Sequence, residues 1–321
     1  MKAVVIGIDI GGTNTKYGIV DRSGHILVEG KMSTDEYENI DGYLRALYEN
    51  IESMLKHLED PLDIKGVGIG APNGNYYRGT IEYPPNLNWK GVTKIIKLFQ
   101  QYYPVPMVLT NDANAAALGE MLFGGAKGMK DFVVITLGTG LGGGVVVNGK
   151  LVYGHDGFAG ELGHTLVNVH GRYCGCGRRG CLETYASATG IKRTVYKLLA
   201  DYMIDSELRS ISYEKLTAKM ITEAAIRGDE IAIKAFDYTA KILGMKLADM
   251  VVVNSPEAIF LFGGLTKAGD YLFKPSRHYM EAYMMPIFKN KIKLLPSQLT
   301  DKNAAVLGAG ALIWQEMEVS S

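Results

Sequence analysis

Residues 4–30 read VVIGIDI (4–10), GGTNT (11–15), KYGIV (16–20), DRSG (21–24) and HILVEG (25–30). Short runs rich in Val and Ile, cut by glycine-bearing turns, predict strand, tight turn, strand, turn, strand. The same design returns as FVVITL (132–137), GTGLGGG (138–144), VVV (145–147), NGK (148–150) and LVYG (151–154). Two hairpins of one design, roughly half a chain apart, predict an internal duplication. The β-branched content and the short spacing oppose a helix at either place.

Outward from the hairpins the pattern changes period. Leu44, Leu47, Ile51, Met54 and Leu55 recur at helical spacing and predict a helix over 43–58. IKGVGIGAP (64–72) and VPMVLT (105–110) read as strands, with a short helix after Val92 that stops before Pro104. NDANAAALGEML (111–122) reads as a strand end flowing into a helix. In the second half, Ile231, Ala235, Phe236, Ile242 and Met250 mark a helix over 229–250. AIFLFGGL (258–265) is a strand running into a double-glycine turn, and a last helix covers 304–315. The expected division is an N-terminal α/β domain of 1–111 plus 302–321 and a larger α/β domain of 112–301.

The 321 residues suffice for two domains, and 47% hydrophobic with 21% charged residues is the balance of a globular protein. Lys plus Arg equals Asp plus Glu, so no long-range attraction to a polyanion exists, which argues against a nucleic-acid partner. MKAVVIGIDIGG has no signal-peptide pattern. The longest uncharged stretch, Phe132–Gly149, carries six glycines, and the expectation is a cytoplasmic protein with no membrane span. Three cysteines, all within 174–181, are too local for a disulfide framework and point to a reducing compartment and a metal.

Gly138, Gly140 and Gly143 match G-x-G-x-x-G, but the dinucleotide fingerprint needs a helix after it, and here VVVNGKLVY follows. The motif reads instead as a hairpin whose backbone amides face phosphate. Gly11-Gly12-Thr13-Asn14-Thr15 has the same form, with Asp9 placed to hold Mg²⁺ through water. With Gly263-Gly264, the two turns favour a phosphate and nucleotide site, and no P-loop motif is present. His164, Cys174, Cys176 and Cys181 offer four ligands suited to structural Zn²⁺. Asn111 and Asp112 end a strand before a helix; one is expected to cap the helix, and Asp112 can accept a hydroxyl proton. As a cap, Asp112 would be held ionised and weakly basic by the helix dipole. Glu161 and Glu183 flank the metal loop and suit sugar hydroxyls.

DIGGTNTK, GIGAPNG, NDANAAALGE, LGTGLGGG, GELGH, CGCGRRGCLE and FGGL together resemble the ROK family (repressors, open reading frames and kinases), nearest its bacterial glucokinases. The resemblance spans the chain. It implies a duplicated actin-like fold of the hexokinase, Hsp70 and actin class, with two domains around a cleft. It implies ATP-dependent phosphorylation of a hexose, glucose first, with N-acetylmannosamine, N-acetylglucosamine, fructose or allose as alternatives. It makes Asp112 the catalytic base and Asn111, Asp112, Glu161, His164 and Glu183 sugar contacts, to which Gly74 and Asn86 are added. ATP would meet Asp9, Gly11, Gly12, Thr13, Asn14, Thr15, Lys16, Gly138, Thr139, Gly140, Gly142, Gly143, Gly263 and Gly264. Zn²⁺ would sit on His164, Cys174, Cys176 and Cys181, in a homodimer or homotetramer. Family repressors carry an N-terminal helix-turn-helix, whereas here the first strand starts within a few residues of Met1, which favours the kinase. Where many members have Pro-Gly, this chain has Pro72-Asn73-Gly74.

Overall fold

β1 (Lys2–Ile10), β2 (Asn14–Asp21) and β3 (Ile26–Ser33) form the meander read from the first glycine turns. β1 pairs antiparallel with β2, placing Asp9 opposite Lys16. These coordinates are a computed structural model and describe residues 1–58, 61–299 and 303–319. Helix α1 (Ile40–Leu55) follows, capped by Asn39, whose side chain accepts from Gly42 N at 2.8 Å. That cap starts the helix a turn earlier than its apolar positions suggest. β4 (Leu62–Gly70) lies parallel to β1, and β5 (Gly74–Asn75), β6 (Thr80–Glu82) and β7 (Val92–Thr93) make a small separate sheet. The expected helix after Val92 is therefore shorter: α2 covers only Ile95–Phe99. β8 (Met107–Thr110) completes a five-stranded sheet of order β3-β2-β1-β4-β8 and leads into α3 (Asp112–Phe123).

The second sheet repeats the first. β9 (Phe132–Leu137) and β10 (Leu141–Val147) form an antiparallel hairpin, with β11 (Lys150–Leu151) at the edge. Helices α4 (Ala188–Asp201), α5 (Ala218–Ile226) and α6 (Glu230–Asn254) intervene before β12 (Ala258–Phe262), which pairs parallel with β9. After α7 (Asp270–Tyr283) comes β13 (Lys293–Pro296), parallel to β12. The order β11-β10-β9-β12-β13 matches the first sheet strand for strand. Each copy opens on an antiparallel hairpin and continues with two parallel strands, so the duplication expected from the turns extends through whole sheets.

The last helix, α8 (Ala304–Val319), packs on β1, β4 and α3. Gly68 makes that approach possible: a Cβ there would lie 1.8 Å from Ala309 O. The chain divides into two compact units, Met1–Met129 with Leu151–Gly160 and Ser297–Ser321, and Lys130–Lys150 with Glu161–Pro296. The sequence drew its first boundary between residues 111 and 112. In the structure α3 stays with the first unit because it packs on α8. The expected return at 301/302 falls in residues 300–302, outside the described residues. Among the described residues no helix is long and apolar enough to cross a membrane.

Candidate active site

In the first unit, the β1–β2 turn binds itself by Gly11 N donating to Asn14 O at 3.0 Å. Among the described residues, the amides of Gly12 and Thr13 have no partner. Unpaired amides on a glycine turn are donors for an anion. Asn86 lies beside this turn, since a Cβ on Gly12 would sit 2.7 Å from Asn86 O. Lys16 is exposed on the adjoining strand. Thr15 departs from expectation. Its hydroxyl is fully buried, 2.8 Å from Thr34 Oγ1 and 2.7 Å from Tyr43 Oη, so it serves the core and not phosphate.

Asp9, near the end of β1, has its carboxyl pushed up to about 7, first by burial and then by the Asp112 charge, with Lys16 opposing. The neighbouring Asp112 charge makes this a place where a cation bridging carboxylate and phosphate would be favoured. Gly70 keeps that place open, as its Cβ would lie 3.7 Å from Asp9 Oδ1 and 3.8 Å from Asp112 Cα.

Asn111 is the N-cap of α3, accepting from Asn114 N at 2.7 Å, and Asp112 is the first helical residue. The expectation that Asp112 caps the helix and is made less basic is therefore corrected. Its Oδ1 accepts from Ala113 N at 2.9 Å, which lowers its pKa, but the surrounding protein outweighs this and the net shift is upward. The residue surface is open to solvent, which limits how far that shift goes. Gly74 touches the same segment: its Cβ would be 2.5 Å from Thr110 O. Asn73 stands at φ 52°, a left-handed conformation that Asn tolerates better than most residues, and its Nδ2 donates to Glu82 O and Tyr83 O. That explains the Asn in place of glycine.

In the second unit, the β9–β10 turn repeats the arrangement. Gly138 N donates to Gly140 O at 3.1 Å, and the amides of Thr139 and Gly140 have no partner among the described residues. Gly142 and Gly143, expected in the phosphate turn, lie within β10; Gly142 N is taken by Thr136 Oγ1 at 3.1 Å, and Gly143 is buried opposite Ile135. Gly263, at φ 110°, brings the β12 turn against β9, where its Cβ would be 2.6 Å from Leu137 O. Gly264 next to it faces open space. Residues not foreseen hold the turn in place. Ala188 N donates to Gly138 O at 2.9 Å and Thr189 Oγ1 to Thr139 O at 3.0 Å. The signal for them was Ser187, which caps α4.

His164, Cys174, Cys176 and Cys181 converge, their ligand atoms all within 4.8 Å of one another. Cys174 Sγ lies 3.7 Å from His164 Nδ1, and Cys176 Sγ lies 3.7 Å from Cys181 Sγ. A tetrahedron with zinc–sulfur bonds of ~2.3 Å has edges of about 3.8 Å, so the donor set fits that ion. His164 Nε2 points the other way, 3.8 Å from Glu161 Oε2. Glu183 spans two features: Oε2 accepts from Leu141 N at 3.0 Å and Oε1 faces Cys174 Sγ at 3.6 Å. Thus Glu161, His164 and Glu183 gather in the second unit, and Asn111, Asp112 and Gly74 in the first.

Two sheets of one strand order, each opening on a hairpin turn with unpaired amides, define a duplicated actin-like α/β nucleotide-binding fold. The ROK family profile matches residues 5–316, and the chain belongs to that family. It is 36% identical over 317 residues to the glucokinase of Halalkalibacterium halodurans, with 97% of this chain and 95% of that protein covered. A ROK family glucokinase from Streptomyces griseus, solved in complex with glucose and AMPPNP, aligns with a TM-score of 0.81 at 33% identity, covering 96% and 98% of the two chains. The xylose repressor of Caldicellulosiruptor bescii is 30% identical, with 98% of this chain and 78% of that protein covered.

Proposed function

We propose that this protein is an ATP-dependent hexose kinase that converts glucose to glucose 6-phosphate, with Asp112 as the base. The observation that carries the reading is the similarity to glucokinases along nearly the whole of both chains. In the reaction, the sugar hydroxyl oxygen attacks the γ-phosphorus, the bond to the ADP oxygen breaks, and the hydroxyl proton passes to Asp112. The amides of Gly12, Thr13, Thr139 and Gly140 are donors for phosphate oxygens. Asp9 would hold Mg²⁺ through water, and the ion would neutralise phosphate charge when bound. Carboxylate and amide groups of Asn111, Asp112, Glu161 and Glu183, with His164 Nε2, suit hexose hydroxyls.

Zn²⁺ would be held by His164 Nδ1 and the three cysteine sulfurs, fixing the loop that carries Glu161 and Glu183. A homodimer or homotetramer in the cytoplasm completes the proposal, and light scattering reads the assembly. The repressor relative supports a second reading, a sugar-responsive regulator without catalysis. Coupled ADP release across glucose, fructose, allose, mannose and the N-acetylhexosamines separates the two. Glucose-dependent release supports the kinase; no release with any sugar, together with a sugar-dependent DNA gel shift, overturns it.

A further inference from the structure

Glu120 is a carboxylate that catalysis does not use. It is 1% exposed, and no cation among the described residues forms an ion pair with it. A buried carboxylate without a cation persists only when donors surround it. Here Gly125 N donates to Oε2 at 2.7 Å, while Gln298 N at 3.1 Å and Ser297 Oγ donate to Oε1. The backbone carbonyl of Glu120 accepts as well, from Gly124 N and Ala126 N, both at 3.1 Å. Gly124 has to be glycine for this, because its Cβ would lie 2.2 Å from Oε2.

These donors come from two particular places in the chain. It leaves the first unit after Met129, shortly beyond Gly124–Ala126, and returns at Ser297. One buried side chain therefore holds the approach to the first crossing and the landing of the last. It does so from α3, the helix that begins with Asp112; eight residues at 1.5 Å each put Glu120 about 12 Å along the same rigid rod.

We propose that Glu120 is a positioning residue, which ties the Gly124–Ala126 and Ser297–Gln298 segments of the first unit to the helix carrying the catalytic base. This rests on the kinase reading. Glu120→Gln keeps the shape but turns an NH₂ group toward donors, so one segment loses its acceptor. Displacement of about 1 Å at a reacting centre costs on the order of 100-fold in rate. The expected result for Glu120→Gln is a kcat at least about tenfold below wild type, with unchanged far-UV circular dichroism and unchanged metal content per chain. Metal content reports on the second unit only, so amide-exchange protection of α3 is read beside it, and unchanged protection there separates positioning from unfolding around Glu120. Should Glu120→Gln fail to fold, Ser297→Ala removes one donor and leaves the carboxylate, with an expected fall in kcat of about threefold to tenfold. A kcat and KM within twofold of wild type in folded variants, with only a lower Tm, overturns the proposal. Absence of turnover in the wild-type control overturns the kinase reading instead, and this one with it.

Discussion

Asn111 closes the first turn of α3, which leaves Asp112 at the first helical position with its Oδ1 held by Ala113 N and its surface open to solvent. Its net upward shift matters for catalysis, since a base is more useful as its pKa approaches the working pH. Asp112→Asn keeps the size and the helix start but removes the proton acceptor. We expect kcat to fall on the order of 10²- to 10⁴-fold with glucose affinity within a few-fold of wild type, measured by coupled ADP release and calorimetry. Near-normal turnover would show that Asp112 only shapes the helix end. Asp9 leads to a pH prediction. The unfolded chain ionises this group near 3.8, whereas the folded protein holds the proton up to about 7. Between those values the folded state binds the extra proton, so this group makes stability fall as pH rises. Asp9→Asn abolishes that contribution, and urea titrations from about pH 4 to 7 are expected to show a smaller decline than wild type. A decline of equal slope would mean that Asp9 is ionised in the folded state throughout.

At the scale of elements, the strands and glycine turns were legible because β-branched runs and turn glycines carry their own local signal. Cap-dependent boundaries were less so: Asn39 starts α1 ahead of the first apolar position, and Val92–Thr93 pair as a strand where a helix was expected. The role of Thr15 was not legible, since only the fold reveals that Thr34 and Tyr43 surround its hydroxyl. The convergence of His164, Cys174, Cys176 and Cys181 was legible from their spacing, but the loop's attachments were not. Val167 N donates to Gly180 O at 2.7 Å and Leu182 N to Thr165 O at 2.9 Å, tying the ELGH turn to the segment that carries Glu183. If the cluster holds Zn²⁺ as proposed, removing the ion would take away the ligand bonds that reinforce these backbone ties. Dialysis against a chelator is therefore expected to lower Tm and to weaken glucose binding more than ATP binding, both read by calorimetry, with recovery on adding Zn²⁺. Glucose affinity that is indifferent to chelation would detach the loop from the sugar site.

For the whole molecule, the decisive long-range fact is that the last helix belongs with the first strand. The sequence pattern already placed α8 there, but not why it fits: glycines on β1 and β4 let the helix backbone approach, with a Cβ on Gly7 falling 2.3 Å from Val306 O and one on Gly68 falling 1.8 Å from Ala309 O. Against α3 the contact is equally close, a Cβ on Gly308 lying 2.4 Å from Ala115 O. Leu307, Leu312, Ile313 and Trp314 are buried in this packing. Each buried side chain of this kind contributes roughly 1.5–3 kcal/mol, so four exceed much of the 5–15 kcal/mol that holds a typical domain folded. A chain ending at Pro296 would leave the glycine faces of β1 and β4 in water, and with them the Asp9 turn and the helix that starts at Asp112. The second unit keeps its own sheet, helices and Cys/His cluster in that truncation. We expect the truncated protein to lose amide-exchange protection in β1, β4 and α3 while still binding one metal ion per chain. Retained protection in those three elements would show that α8 is an accessory to the first unit and not part of its core.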